Sequence, residues 1–154
     1  MSEAPPSTPR PVPQPETDFY WEKARAHELW LMRCDDCEAV YFYPRPICPQ
    51  CFSRRTRWVQ SSGRGTVYAL SIVYRPPIPA FQTLVPYVAA LVELEGGVRI
   101  PTNLVDVEAD PAKIRIGMAV EVVFEDINDA IALPKFRPAQ AGPGQPSNTN
   151  TNVN

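Results

Sequence analysis

All four cysteines of the chain fall within eighteen residues, CDDCEAVYFYPRPICPQC, from Cys34 to Cys51. They form two CxxC pairs, Cys34/Cys37 and Cys48/Cys51, with ten residues between them. In a CxxC turn two thiolates converge on one side, and two such knuckles at adjacent hairpin ends complete a tetrahedron around Zn²⁺. Four thiolates leave no position for water, so a site of this kind is structural rather than catalytic. A rubredoxin-type iron site uses the same ligands, and a redox CxxC or a ribbon that has lost its metal are the other readings. Two pairs so close together favour joint ligation, with zinc first. Pro44, Pro46 and Pro49 stiffen the hairpin between the knuckles, and Tyr41, Phe42 and Tyr43 are placed to shield it.

Other chemistry is sparse. The single histidine, His27, lies in a predicted helix, where packing or exposure is the usual fate rather than catalysis. With the cysteines assigned to metal, no thiol nucleophile remains. Ser71 alternates within a strand pattern and lacks the context of a nucleophile elbow. Gly63-Arg64-Gly65 leads into a strand, not a helix, and so does not make a phosphate-cradling loop. Arg45, Arg54, Arg55, Arg57 and Arg64 lie on the ribbon and its exit. Guanidinium groups suit phosphates, but a solvated surface or salt bridges to a partner's acids is the reading favoured above that. The stretch RPPIPAFQTLVPY, Arg75 to Tyr87, is apolar and held by four prolines. Ile78, Phe81 and Leu84 there would form a patch that covers a partner, or else a loop folded over the barrel's open end.

The elements that must hold these residues are legible from pattern. The chain has 154 residues, 44% of them hydrophobic, enough for one ordinary domain or two small modules. Residues 1–17 are Pro-rich and read as a disordered tail, and residues 138–154 as a second polar tail. Residues 18–60 hold an N-terminal helix and the ribbon, and residues 61–137 a barrel. DFYWEKARAHELWLMR has no internal Gly or Pro and reads as a helix capped by Asp18. Tyr20, Ala24, His27 and Leu31 make one stripe of it, with Phe19, Trp21 and Trp30 outside. Aromatics on more than one face either cover the ribbon or also touch a second body.

From Gly65 onward the period is two. Tyr68, Leu70, Ile72 and Tyr74 share one face of the first strand, and Val88, Ala90, Val92 and Leu94 one face of the second. Glu95-Gly96-Gly97 turns the chain into VRIPTNLV, Ile116-Gly117-Met118 leads into AVEVVFEDI, and Asn128-Asp129 turns it into AIALPKF. Five short strands predict a small closed barrel of OB type, with an SH3-like barrel or open sandwich as alternatives. The fold class is therefore mainly β, with an N-terminal helix, a zinc ribbon and a five-stranded OB-type barrel.

Fifteen basic against seventeen acidic residues give a formal charge of −2. Four thiolates around one Zn²⁺ would bring this to about −4. That balance counts against phosphate-driven nucleic-acid binding. The N-terminus lacks the apolar core of a signal peptide, and no stretch is long enough to span a bilayer. The expectation is a cytoplasmic protein in a reducing compartment, where structural disulfides are rare.

In order, the motifs are FYW in a helix, LxxxRCxxC, PRxxCPxC, W-x4-GxGTVYxxSxV, PYxxALVELxxGVRIxTxLV and IxIGMxVEVxF. This order resembles the DUF35 family of zinc-ribbon plus OB-fold, acyl-CoA-associated proteins, over residues 18–137. One departure is Glu38, where the family usually has Gly after the second cysteine. The resemblance implies an accessory role beside a thiolase-like enzyme, either a thiolase or an aldolase of steroid side-chain CoA thioesters, and in some cases a MaoC-type hydratase. It implies that the ribbon and helix dock on the enzyme, that the barrel lies near an acyl-CoA channel, and that the chemistry belongs to the partner. Phe19, Tyr20, Trp21, Trp30, Ile78, Phe81 and Leu84 are the expected partner or acyl-channel contacts, and Arg45, Arg54, Arg55, Arg57 and Arg64 the expected contacts of coenzyme A phosphates. A single-stranded nucleic-acid binder and a free-standing acyl-CoA binder are the competing expectations.

Overall fold

A computed structural model describes residues 8–140; the rest of both predicted tails lies outside the described residues. Helix α1 runs over Asp18–Arg25. A small sheet of strands β1 (Trp30–Cys34), β2 (Val40–Tyr41) and β3 (Thr56–Gln60) follows, in the order β2-β1-β3. Strands β4 (Arg64–Val73), β5 (Tyr87–Leu94), β6 (Arg99–Leu104), β7 (Ala119–Asn128) and β8 (Ile131–Pro138) close a barrel in the order β4-β5-β6-β8-β7. A 3-10 helix, Pro79–Leu84, fills the connection between β4 and β5. Closure and the single parallel pairing, β6 with β8, are those of an OB-type barrel.

The helix is half as long as the sequence pattern predicts. It ends in a Schellman motif: the Glu28 amide donates to the Lys23 carbonyl and the His27 amide to the Ala24 carbonyl, both at 2.9 Å. His27 takes the left-handed conformation such an ending needs, with φ 60°. Its ring stacks on Phe124 at 5.2 Å and meets Asp126 at 2.9 Å, which ties the helix end to β7. The predicted stripe therefore stops at Ala24, and Leu31 is a buried strand residue. Strand pairing outweighs helix propensity here, because Met32 lies between Tyr41 on β2 and Trp58 on β3. The N-cap is Thr17 rather than Asp18, which occupies the first turn. The Thr17 hydroxyl bonds the Gln14 amide and carbonyl instead of capping α1.

The barrel strands fall where the period of two puts them. Val88, Ala90, Val92 and Leu94 are buried on one face of β5. On β4 the expected face breaks at one residue. The register with β5 shifts between Val67 and Ala69, so Val67 points into the core and Tyr68 is exposed, while Leu70 and Ile72 pack inward. Tyr74 lies beyond the strand and is also exposed. Gly63 joins ribbon to barrel with φ +72°, and its carbonyl accepts from the Val122 amide at 2.8 Å. A Cβ there would lie 2.3 Å from the Val122 side chain, so only glycine fits.

One large core runs through the barrel and continues into the helix. Phe136, Val92, Ile100 and Val120 are joined by Tyr20, Trp21, Ala24, Leu29 and Leu31. Each large side chain buried this way contributes roughly 1.5–3 kcal/mol. The ribbon has its own small cluster of Met32, Cys34, Tyr41 and Cys48.

Candidate functional site

The two knuckles are built alike. The Cys34 amide donates to the Ala39 carbonyl and the Cys48 amide to the Ser53 carbonyl, each at 2.9 Å. In each, the amide two residues on donates to the first sulfur: Asp36 to Cys34 Sγ and Gln50 to Cys48 Sγ, both at 3.4 Å. Each closes through a left-handed residue after its second cysteine, Glu38 with φ 61° and Phe52 with φ 60°. Side chains other than Gly, Asn and Asp rarely adopt this conformation, so both turns carry strain. The departure from glycine at Glu38 thus falls where glycine would relieve the backbone. The ribbon's most exposed large apolar residue, Phe52, is 78% exposed at the matching position; the sequence reading missed it.

The four sulfurs lie within 4.8 Å of one another. Cys34 Sγ is 3.6 Å from Cys51 Sγ, and Cys37 Sγ is 3.6 Å from Cys48 Sγ. A disulfide needs about 2.05 Å, whereas a thiolate tetrahedron with metal–sulfur bonds of about 2.3 Å has edges near 3.8 Å. The donor set therefore fits one tetrahedral metal ion. Cys34 and Cys48 are buried, and Cys37 and Cys51 are exposed. Burial works against the Cys48 thiolate, but amides of Cys51 and Gln50 and the neighbouring thiols bring its pKa down to about 7. The Cys51 thiol receives the Ser53 amide, yet the Cys37 thiol and burial push it up to about 12. Sulfurs this close resist sharing negative charge until a cation joins them.

The acidic CDDC turn has its own counter-charges. Arg57 Nε donates to Asp35 at 2.8 Å, and Arg55 and Ser53 both bond Asp36. The Asp35 amide donates to the Arg55 carbonyl at 2.8 Å. The strand leaving the second knuckle is thus tied to the first. Of the five arginines expected at coenzyme A phosphates, Arg55 and Arg57 are engaged within the ribbon. Arg45, Arg54 and Arg64 are exposed and carry no ion pair among the described residues. Tyr41 alone of its aromatic run packs beside the sulfurs, and its hydroxyl donates to the Arg45 carbonyl at 2.9 Å. Phe42 and Tyr43 turn away to the helix, where Tyr43 accepts from Trp21 Nε1 at 3.1 Å.

The expected partner contacts divide in two. Tyr20 and Trp21 are only 1% and 7% exposed and belong to the core. Burial, then the neighbouring Tyr43, holds the Tyr20 hydroxyl well above its usual pKa. Phe19 packs on Trp58 and Trp30, so the helix's second aromatic face covers the ribbon sheet. These residues are occupied within the chain because α1 is the wedge between ribbon and barrel. Ile78 and Leu84 on the 3-10 segment are exposed, with Phe81 half-buried against Tyr87.

The fold and the four-sulfur site together define a zinc-ribbon protein with an OB barrel. Residues 21–57 match the family described as the ChsH2 rubredoxin-like zinc ribbon domain, and residues 58–125 the ChsH2 C-terminal OB-fold domain. A DUF35 domain-containing scaffold protein of Methanocaldococcus jannaschii is 41% identical, covering 71% of this chain and 80% of its own length. A probable enoyl-CoA hydratase alpha subunit of Thermomonospora curvata is 40% identical over 85% of this chain. A 3-oxo-4,17-pregnadiene-20-carboxyl-CoA hydratase alpha subunit of Mycobacterium tuberculosis is 40% identical over 78%. The chain spans only 40% and 37% of the length of those two hydratase subunits. Among solved structures, a chain of the Ltp2-ChsH2(DUF35) aldolase superposes with TM-score 0.71 at 40% identity, covering 84% of this chain and 98% of that one. A DUF35 protein of Sulfolobus solfataricus, 12% identical with TM-score 0.58, shares the fold over 81% of this chain and 86% of its own. The chain belongs to the DUF35 family.

Proposed function

We propose that this protein is a non-catalytic accessory subunit that binds a thiolase-like acyl-CoA enzyme, with an aldolase that breaks the Cα–Cβ bond of β-hydroxyacyl-CoA thioesters as the favoured partner. The observation that carries this is the 40% identity to the DUF35 chain of an aldolase over nearly that whole chain. Relatives called scaffold proteins support it. The longer hydratase alpha subunits keep a hydratase of the MaoC type as a further partner. The chain's residues agree: its histidine is spent on a helix end, and its cysteines converge on one closed site. The ion there is zinc, which prefers four ligands and does not cycle between redox states. Arg45, Arg54 and Arg64 are the groups left to meet coenzyme A phosphates, and Ile78, Phe81 and Leu84 the surface left to meet the partner or an acyl chain. The acidic charge balance works against the nucleic-acid alternative. Function in the cytoplasm follows from the same reading.

The test is a turnover assay with acyl-CoA and β-hydroxyacyl-CoA thioesters. The purified chain alone should be inert, and adding it to the thiolase-like enzyme from the same genome should raise that enzyme's kcat/KM. Turnover by the chain alone at the rate of the mixture would overturn the reading. Tight thioester binding without a partner would favour a free-standing acyl-CoA binder.

A further inference from the structure

Tyr20 is the largest fully enclosed side chain among the described residues, at 1% exposure. Its ring packs against Trp21, Phe42 and Tyr43. Its hydroxyl nevertheless has no hydrogen-bond partner among the described residues, where Trp21 Nε1 is taken by Tyr43 instead. Among the same residues, no side-chain nitrogen or oxygen that is wholly shut off from solvent lacks a partner. The small surface that Tyr20 keeps is therefore at the hydroxyl, and the open space it meets is a cleft of about 400 Å³ that Tyr20 lines.

The cleft lies where α1 and the ribbon hairpin meet the β6–β8 edge of the barrel, with Trp21, Phe42, Ile100, Pro101 and Leu133 as its apolar wall. Most of its polar groups are committed elsewhere. The Thr102 hydroxyl donates to the Pro134 carbonyl at 3.1 Å, and Asn103 Nδ2 to the Val88 carbonyl at 3.2 Å. Lys135, the one charged side chain in the lining, pairs with Glu125. Tyr43 lines the same cleft, its ring centre 5.8 Å from that of Tyr20. Its oxygen accepts from Trp21 Nε1 at 3.1 Å, which leaves its proton free to donate. Burial, then Tyr43, holds the Tyr20 hydroxyl above its usual pKa, so it stays a neutral donor. A donor enclosed by apolar walls without a partner carries a desolvation cost that an acceptor in the cleft would remove.

We infer that this cleft is a binding site for a neutral, apolar molecule that presents one carbonyl oxygen, with Tyr20 and Tyr43 as the donors that hold it. Apolar walls with a few placed polar groups are the usual make-up of a small-molecule site. A carboxylate fits less well, because Lys135 already has a counter-ion. A pure hydrocarbon fits less well too, because it leaves the Tyr20 hydroxyl unpaired. This inference stands on the chain's own geometry and does not depend on the partner proposed above.

The test uses the full chain and two fluorescent probes with one ring system. One, 6-propionyl-2-dimethylaminonaphthalene, carries a ketone; the other, 2-dimethylaminonaphthalene, does not. The ketone should bind the wild-type chain saturably and more tightly than the ketone-free ring. Amide shifts on adding it should concentrate at Phe42, Thr102 and Asn103, around the cleft. Tyr20→Phe keeps the ring and removes the donor. It should weaken the ketone about 3- to 10-fold and leave the ketone-free ring unchanged. Its melting temperature should equal or exceed that of the wild type, because no bond within the chain is lost. Tyr43→Phe should show the same selectivity by a smaller factor, since Tyr43 is exposed to competing water. Tyr74→Phe, at an exposed tyrosine outside the cleft, should change neither probe. Absence of saturable ketone binding, or shifts confined to other surfaces, would overturn the site. Unchanged ketone affinity in Tyr20→Phe, the result if the hydroxyl holds only water, would overturn the ligand class, as would an equal loss of both probes. A lower melting temperature in Tyr20→Phe would place the hydroxyl's bond within the chain and overturn its role as donor.

Discussion

Ribbon and barrel sit side by side and are held together by different physics. The barrel buries a continuous core, with Phe136 and Val92 fully enclosed. The ribbon encloses four residues, two of them cysteines. A cluster that small, with Leu31 in the common core beside it, does not offset the entropy of ordering roughly thirty residues, so the ribbon should draw most of its stability from a bound metal ion. The barrel owes the ion nothing directly. Helix α1 joins them, with Phe19 on the ribbon and Tyr20 and Trp21 in the common core.

The contrast breaks most sharply at a ligand. Cys48→Ser should abolish stoichiometric metal binding, a loss on the order of 10 kcal/mol. Amide spectra should lose the ribbon resonances while β5 and β8 stay dispersed. Collapse of both regions together would make the two one cooperative unit. The converse substitution is Phe136→Ala, at a fully buried site of the barrel. It should cost about 3–5 kcal/mol of global stability, read from denaturant midpoints, with the metal still bound before the transition. At the joint, Gly63→Ala meets both a positive φ and the Val122 side chain. It should cost about 1–3 kcal/mol and lower the melting temperature of the barrel. The smallest change sharpens the comparison in the ribbon's favour. Glu38→Gly or Phe52→Gly should relieve roughly 1 kcal/mol of left-handed strain. Metal should then be retained at higher chelator concentration, with the barrel's denaturant midpoint unmoved. Loss of the exposed Arg33–Glu38 pair should cost little against that.

The same two regions differ in how much their sequence discloses. Four cysteines at fixed spacing announce a metal tetrahedron because the ligand atoms are themselves the signal. The barrel strands are nearly as plain, since Val88 to Leu94 alternate without a break. Misreadings collect where distant contacts overrule local pattern. Nothing in ARAHELWLMR breaks a helix, yet His27 turns left-handed and Leu31 enters a strand. The clue lay further on: a knuckle begins at a hairpin end, so the residues before Cys34 should be extended. The bulge beside Tyr68 leaves no glycine or proline to mark it. The pairing of Asp35 and Asp36 with Arg57 and Arg55 depends on β3 returning beside β1, which spacing alone does not reveal.

The central claim is that the chain serves another enzyme. Its most direct test is purification of the tagged full chain from its native cells at physiological salt, with mass spectrometry and metal analysis of the eluate. The account predicts a thiolase-like enzyme recovered in a fixed ratio to the chain, together with about one zinc per copy of it. The chain recovered alone, or with nucleic acid and no such enzyme, would contradict it.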